Sequence, residues 1–217
     1  MLISKVAEQK KNKKRFSIYV DGEYYCSVDK DVLDEINIRE GMNFEEKEFS
    51  NIIDKMNYKS ALKSALSILV RAPRTENELA RKLRQKQYPE AAINKVIEYL
   101  CSIGYINDEE YAESLIRSLK SNKGCSKRTI YYKLIQKGID SDIINQKLGE
   151  VSFDEFAAAF QAAAKKVASI KGSSREKMAK TYTFLMRKGF DTDTCSKVIS
   201  ELQLPADSVS DDNESCE

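Results

Sequence analysis

Apolar residues recur at helical spacing through most of the chain, and one stretch of that pattern occurs three times. It reads KLRQKQYPEAAINKVIEYL from Lys82, KLIQKGIDSDIINQKLGEV from Lys133, and FLMRKGFDTDTCSKVISEL from Phe184, with starts 51 and 51 residues apart. Matched columns hold Leu83, Leu134 and Leu185; Lys86, Lys137 and Lys188; and Ile97, Leu148 and Ile199. A fourth column holds Gln87, Gly138 and Gly189, where two of three residues suit a left-handed helix end. Each unit is expected to form three helices. In the first, Tyr58–Val70 is followed by a helix capped by Thr75 with Glu78 reaching back, then one that begins at Pro89 and stops at Gly104. The second opens at a cap on Asp108, has Ser126 capping its middle helix, and ends around Ile143, Ile144 and Leu148. The third opens with Ser152 and Glu155 as a capping box, continues from a cap at Ser174, and closes with Cys195, Val198, Ile199 and Leu202.

The front of the chain has a different period. Phe16–Val20 and Tyr24–Val28 alternate about Asp21-Gly22, a dipeptide suited to a tight hairpin whose turn needs positive φ. Leu2–Val6 is a candidate third strand, because a lone hairpin is marginal in water. Two helices should follow. One starts near Asp29 with Val32, Leu33 and Ile36 inward; the other starts near Asn43 with Glu46 in capping-box position and buries Phe49, Ile52, Ile53 and Met56. The expected organisation is therefore mainly α, with three tandem three-helix repeats in an elongated, curved array behind a small α+β module. Its boundaries are 1–57 for the module, 58–107, 108–151 and 152–204 for the repeats, and 205–217 for an acidic disordered tail.

Charge refines this picture. Residues 1–15 hold six bases and one acid, 29–57 nine acids and four bases, 58–147 seventeen bases and ten acids, and 206–217 five acids and no base. A basic middle between acidic flanks suggests a surface for an anionic partner, whereas any one Lys or Arg is more often just a solvated helix face. The outward positions are Arg71, Arg74, Arg81, Arg84 and Lys86 in the first repeat, and Lys123, Lys127, Arg128, Lys133 and Lys137 in the second. A helix start near Gly124 and Ser126 can offer N–H groups to a phosphate. Lys10–Arg15 is either a second anion contact or a solvated loop.

Reactive chemistry is sparse. The absence of histidine removes Ser-His and Cys-His catalysis and the commonest zinc sites. Five scattered cysteines without a Cys-x-x-Cys pair fit reduced cytosolic thiols, with Cys101 and Cys195 in core positions. Asp108, Glu109 and Glu110 invite a metal reading, but neighbouring helical residues diverge around the axis. Tyr105 and Tyr111 can stack on bases; beside Gly104 and Asp108 they more readily pack between repeats. No cofactor, metal or membrane span is expected, and the location expected is the cytoplasm.

The stretch Arg71-Ala-Pro-Arg74-Thr75-Glu76-Asn77-Glu78-Leu79 with Lys82-Leu83 resembles the RecX regulatory family. So does Gly104-Tyr105-Ile106-Asn107-Asp108 followed by Glu110-Tyr111-Ala112, and Lys137-Gly138-Ile139 is similar to the pattern of that family's second repeat. The resemblance spans about residues 58–202, and the strand-containing front looks like an extension carried by some members. It departs at Gln87-Tyr88, where the family commonly has Lys-Gly, which touches the turn of the first repeat. The resemblance implies a non-catalytic regulator that binds the RecA–DNA filament along its groove and chiefly inhibits the recombinase; some proteins of that family bind DNA directly, so single- or double-stranded DNA is a further expected partner. A soluble, elongated monomer is the expected state. The alternatives are a general DNA-binding helical protein independent of RecA and, least favoured, a carboxylate–metal nuclease.

Overall fold

The computed structural model describes residues 1–10, 12–121 and 124–202. Lys123, Cys216 and the acidic tail therefore lie outside the described residues. The chain divides into two compact units, Met1–Asn107 and Asp108–Glu217.

In the first unit, β1 (Ile3–Gln9), β2 (Asn12–Val20) and β3 (Glu23–Asp29) form an antiparallel meander in the order β1-β2-β3. Asp21 and Gly22 have φ of 49° and 93°, the pair of positive values expected of the two-residue turn. Alternation places Ile18 and Val20 on the covered face of β2. They join Ile3, Val28, Phe49, Ile53 and Met56 in a core closed by α1 (Lys30–Ile36) and the start of α2 (Glu46–Leu69).

Helix α2 revises two sequence readings. Asn43 does not cap it: the chain is still extended there, bridged to Leu2, and the helix begins three residues later behind Glu45. The boundary expected at 57/58 lies inside α2. Nothing in Met56-Asn57-Tyr58-Lys59 breaks a helix, so one 24-residue helix buries Phe49, Ile53 and Met56 in the sheet core and Ala61 and Ala65 in the next.

The second of these cores belongs to the first repeat, completed by α3 (Glu76–Gln85) and α4 (Glu90–Ser102). Thr75 caps α3 as expected, its hydroxyl accepting from the Glu78 N–H at 3.1 Å. Pro89 stands one position earlier than expected, at the extended residue before α4.

The second unit holds α5 (Asp108–Ser121), α6 (Lys127–Gln136) and α7 (Ser141–Gly149), then α8 (Glu155–Ala168), α9 (Ser174–Arg187) and α10 (Thr192–Glu201). Three caps shift. Asp108 is the first residue of α5, where its charge meets the positive end of the helix dipole. Asp154, not Ser152, caps α8, because its carboxylate reaches the Ala157 N–H at 2.9 Å. Ser173 rather than Ser174 caps α9.

The middle helix ends alike in all three repeats. Leu83, Leu134 and Leu185 are fully buried. Three residues after each leucine comes a lysine, and the residue after that is left-handed: Gln87 at φ 64°, Gly138 at 79° and Gly189 at 81°. The same two backbone bonds close each turn. In the first repeat Gln87 N–H donates to the Arg84 carbonyl at 2.8 Å and Tyr88 N–H to Leu83 at 3.3 Å. The Gln-Tyr departure thus keeps the turn at the cost of a side chain in the left-handed region. Gln87→Gly is expected to raise stability by roughly 0.5–1 kcal/mol, the steric relief less the added freedom of the unfolded chain. Urea denaturation checks this.

Repeats two and three dock through the start of α6. Ser126 caps α6 by accepting from the Thr129 N–H at 3.1 Å. The hydroxyls of Ser126 and Thr129 also donate to the Lys188 carbonyl, at 2.7 and 2.5 Å. The Lys127 N–H donates to the Glu155 carboxylate at 2.7 Å. Unpaired carbonyls at the end of α9 and unpaired amides at the start of α6 thereby find partners.

Candidate functional site

The basic residues expected to face an anionic partner divide according to the company they keep. In the first unit Arg84 is committed, forming a two-pronged pair with Glu90 at 2.5 and 3.1 Å. This holds the Glu90 carboxyl below the usual carboxylate range. Arg74 lies half-buried with its guanidinium 3.8 Å from the buried Glu78, and Lys86 donates to Ser64 at 2.8 Å. Arg71 and Arg81 are exposed. Within the expected set of this unit, these two side chains and Lys86 are without an ion pair among the described residues.

The second unit presents α6. Lys127, Arg128 and Lys133 are exposed on it, whereas Lys137 is half-buried and engaged. The Arg128 guanidinium lies 5.8 Å from the Tyr132 ring centroid and Lys127 Nζ 5.9 Å from that of Phe153, within cation–π range. Sequence reasoning overlooked Tyr132 and Ile135, which are 52% and 39% exposed. With Arg128 and Gln136 they follow the i, i+4, i+7, i+8 spacing of one helix face. The signal was present: Ile130 and Leu134 already fill the inward positions, which turns Tyr132 away.

At the helix start near Gly124 and Ser126, two of the amides expected to face a phosphate already have partners. The Lys127 amide is taken by Glu155 and the Thr129 amide by Ser126, while Gly124 lies against Ala162, so close that an added Cβ would sit 3.1 Å from it.

The residues expected to pack between repeats also separate. Tyr105 is 63% exposed, and its neighbour Gly104 turns the chain at φ 73°. Tyr111 is half-buried and packs on the core cluster of its own repeat, which includes Ile116 and Ile144.

Glu109 is drawn to a lysine rather than to a metal. Lys147, its side chain 10% exposed, lies 2.6 Å from Glu113, 3.3 Å from Glu109 and 3.8 Å from Glu150. The hydrogen bond from Lys147 holds the Glu113 carboxyl below its ordinary range, and Glu113 in turn raises Lys147. Among the described residues no three His, Cys, Asp or Glu side chains group as metal ligands, and no helix is long and apolar enough to cross a membrane. Burial pushes the Cys26 thiol up to about 11 and raises Cys195, so neither is a ready thiolate at neutral pH.

Comparison with known proteins fits this architecture element by element. Residues 1–45 match the family described as the regulatory protein RecX N-terminal domain. Residues 61–100, 107–148 and 154–199 match its first, second and third three-helix domains. A regulatory protein RecX of Clostridioides difficile (strain 630) is 32% identical over 203 residues, covering 93% of this chain and 95% of the relative. One from Bacillus velezensis is also 32% identical, covering 94% of this chain and 79% of the relative. Among solved structures, a crystal structure of regulatory protein RecX aligns with a TM-score of 0.62 at 27% identity, covering 92% of this chain and 99% of the other. RecX from Lactobacillus salivarius aligns at 0.58 and 29% identity, covering 67% of this chain and 96% of the other. With its strand-bearing front and all three helical modules matched in order, the chain belongs to the RecX family of regulatory proteins.

Proposed function

We propose that the chain is a non-catalytic regulator that binds the RecA–DNA filament and restrains the recombinase. The observation that carries this reading is membership, over more than nine-tenths of the chain, in a family whose members are named regulatory proteins. Chemistry supports it. The exposed cations Lys127, Arg128 and Lys133 share α6 with the exposed Tyr132 and Ile135. A rigid helix that presents both charge and apolar surface suits a partner made of protein and phosphate. Arg71 and Arg81 offer the same charge in the first unit. The partner is a cytoplasmic filament, and recognition needs no cofactor.

Charge reversal of Lys127 and Arg128 together tests the assignment. Each exposed contact contributes up to roughly 1 kcal/mol, so losing and inverting two should raise the concentration needed to inhibit RecA strand exchange about tenfold. Unchanged inhibition and unchanged DNA affinity would remove α6 from the interface. An effect on DNA affinity alone, in a protein that never inhibits RecA, would instead favour a general DNA-binding protein.

A further inference from the structure

The third repeat carries a basic surface outside the set just described. Between α8 and α9 lie two adjoining clefts, of about 270 and 350 Å³, that share Lys166. Lys165, Lys166, Lys188 and Phe184 line the first, with Ala162 beneath. Lys166, Lys180 and Arg187 line the second, with Ile170 and Ala179. Among the described residues, no carboxylate lines either cleft. Among the described residues, only Lys180 of these five bases has an acid within ion-pair distance, Glu176 at 3.9 Å. In the first repeat, by contrast, Arg74 and Arg84 each pair with an acid of their own module.

Phe184 organises the cluster. The ammonium groups of Lys166 and Lys188 each lie 5.7 Å from its ring centroid, so one half-buried aromatic gathers two cations from different elements. The column that Phe184 occupies holds Lys82 and Lys133 in the other repeats, so only the third module has an aromatic here.

We propose that these paired clefts bind single-stranded nucleic acid through its phosphates. Two cation-lined hollows meeting at a shared lysine fit successive phosphates of one strand. The apolar walls of Ala162, Ile170 and Ala179 suit sugars, and the half-buried Phe184 offers aromatic surface to an unpaired base, which a duplex does not present. An acidic protein segment would match the charge but would leave the aromatic and the apolar walls without a role. The site goes beyond the filament reading and requires no recombinase.

The test is fluorescence anisotropy of the full chain with a labelled oligothymidylate in the absence of RecA, across a salt series. Three or four phosphate contacts should give a slope of log affinity against log salt of about −2 to −3. Lys166→Gln with Lys188→Gln should weaken binding at least about tenfold at low salt and reduce the slope by about 1.4. Phe184→Leu should weaken binding about threefold to tenfold and leave the slope unchanged, since stacking carries no counterion term. Thermal melting confirms that each variant folds, and Lys165→Gln provides a milder charge change should the double variant melt early. Wild-type affinity and slope in the folded Gln variants would overturn the proposal. So would polyaspartate displacing the oligonucleotide as effectively as unlabelled strand of equal charge, which would mark a docking site for acidic protein. Because RecA is absent, failure here is distinguishable from failure of the filament reading.

Discussion

Gly189→Val should destabilise the second unit by about 3–5 kcal/mol, read as a lower urea midpoint with little change in slope. Gly189 has a φ of 81°, where a β-branched residue is strained by roughly 1–3 kcal/mol. Its surroundings add to that. A Cβ built there meets Ser126 Oγ at 2.9 Å and Thr129 Oγ1 at 3.0 Å, the two hydroxyls that donate to the Lys188 carbonyl. Relieving the clash means withdrawing one or both, at about 1 kcal/mol per lost hydrogen bond. Gly104 supplies the control. It has a similar φ, 73°, but nothing within 4 Å of an added Cβ, so Gly104→Ala should cost only about 1 kcal/mol and Gly189→Ala clearly more. Equal losses would mean that the docking of repeat three on the α6 cap contributes nothing.

Leu134→Ala is expected to cost about 3–5 kcal/mol and, on the proposed function, to weaken RecA inhibition near physiological temperature. Leu134 is fully buried among Ile130, Ile116, Ile144 and Leu148, where α5, α6 and α7 meet, so truncation leaves a cavity ringed by branched side chains. Those atoms lose contacts that a close-packed interior cannot readily restore. The unit's whole stability is of the order of 5–15 kcal/mol, so a large part of it goes with this one side chain. Guanidinium denaturation measures the loss. Leu134→Met, which conserves volume, should cost under about 1.5 kcal/mol and keep inhibition.

The repeats were legible because their leucine, lysine and glycine columns recur at one spacing, and because Thr75 and Ser126 start helices by a hydrogen bond local enough to read. The three-stranded front was legible from Asp21-Gly22 and the alternation around it. What escaped depends on contacts distant in sequence or on a missing signal. No breaker marks a boundary near 57, so the front module and first repeat share α2. The start of α6 looked fully open to phosphate because the partner of its Lys127 amide, Glu155, stands 28 residues on, where proximity in sequence does not reveal it. Arg74 and Arg84 are a different case: Glu78 and Glu90, only four and six residues on, hold them, and such local pairs can be read from spacing. The cations around Phe184 escaped because charge was weighed by region. Residues 148–205 hold nine bases and seven acids, a near balance that hides how the fold segregates them.

The most direct test of the account is RecA-driven strand exchange, with the chain added to preformed filaments at concentrations too low to coat free DNA. Inhibition in that range, lost together with the exposed charges of α6, is the result the account requires. Strand exchange that proceeds undisturbed until the protein saturates the DNA itself would contradict it.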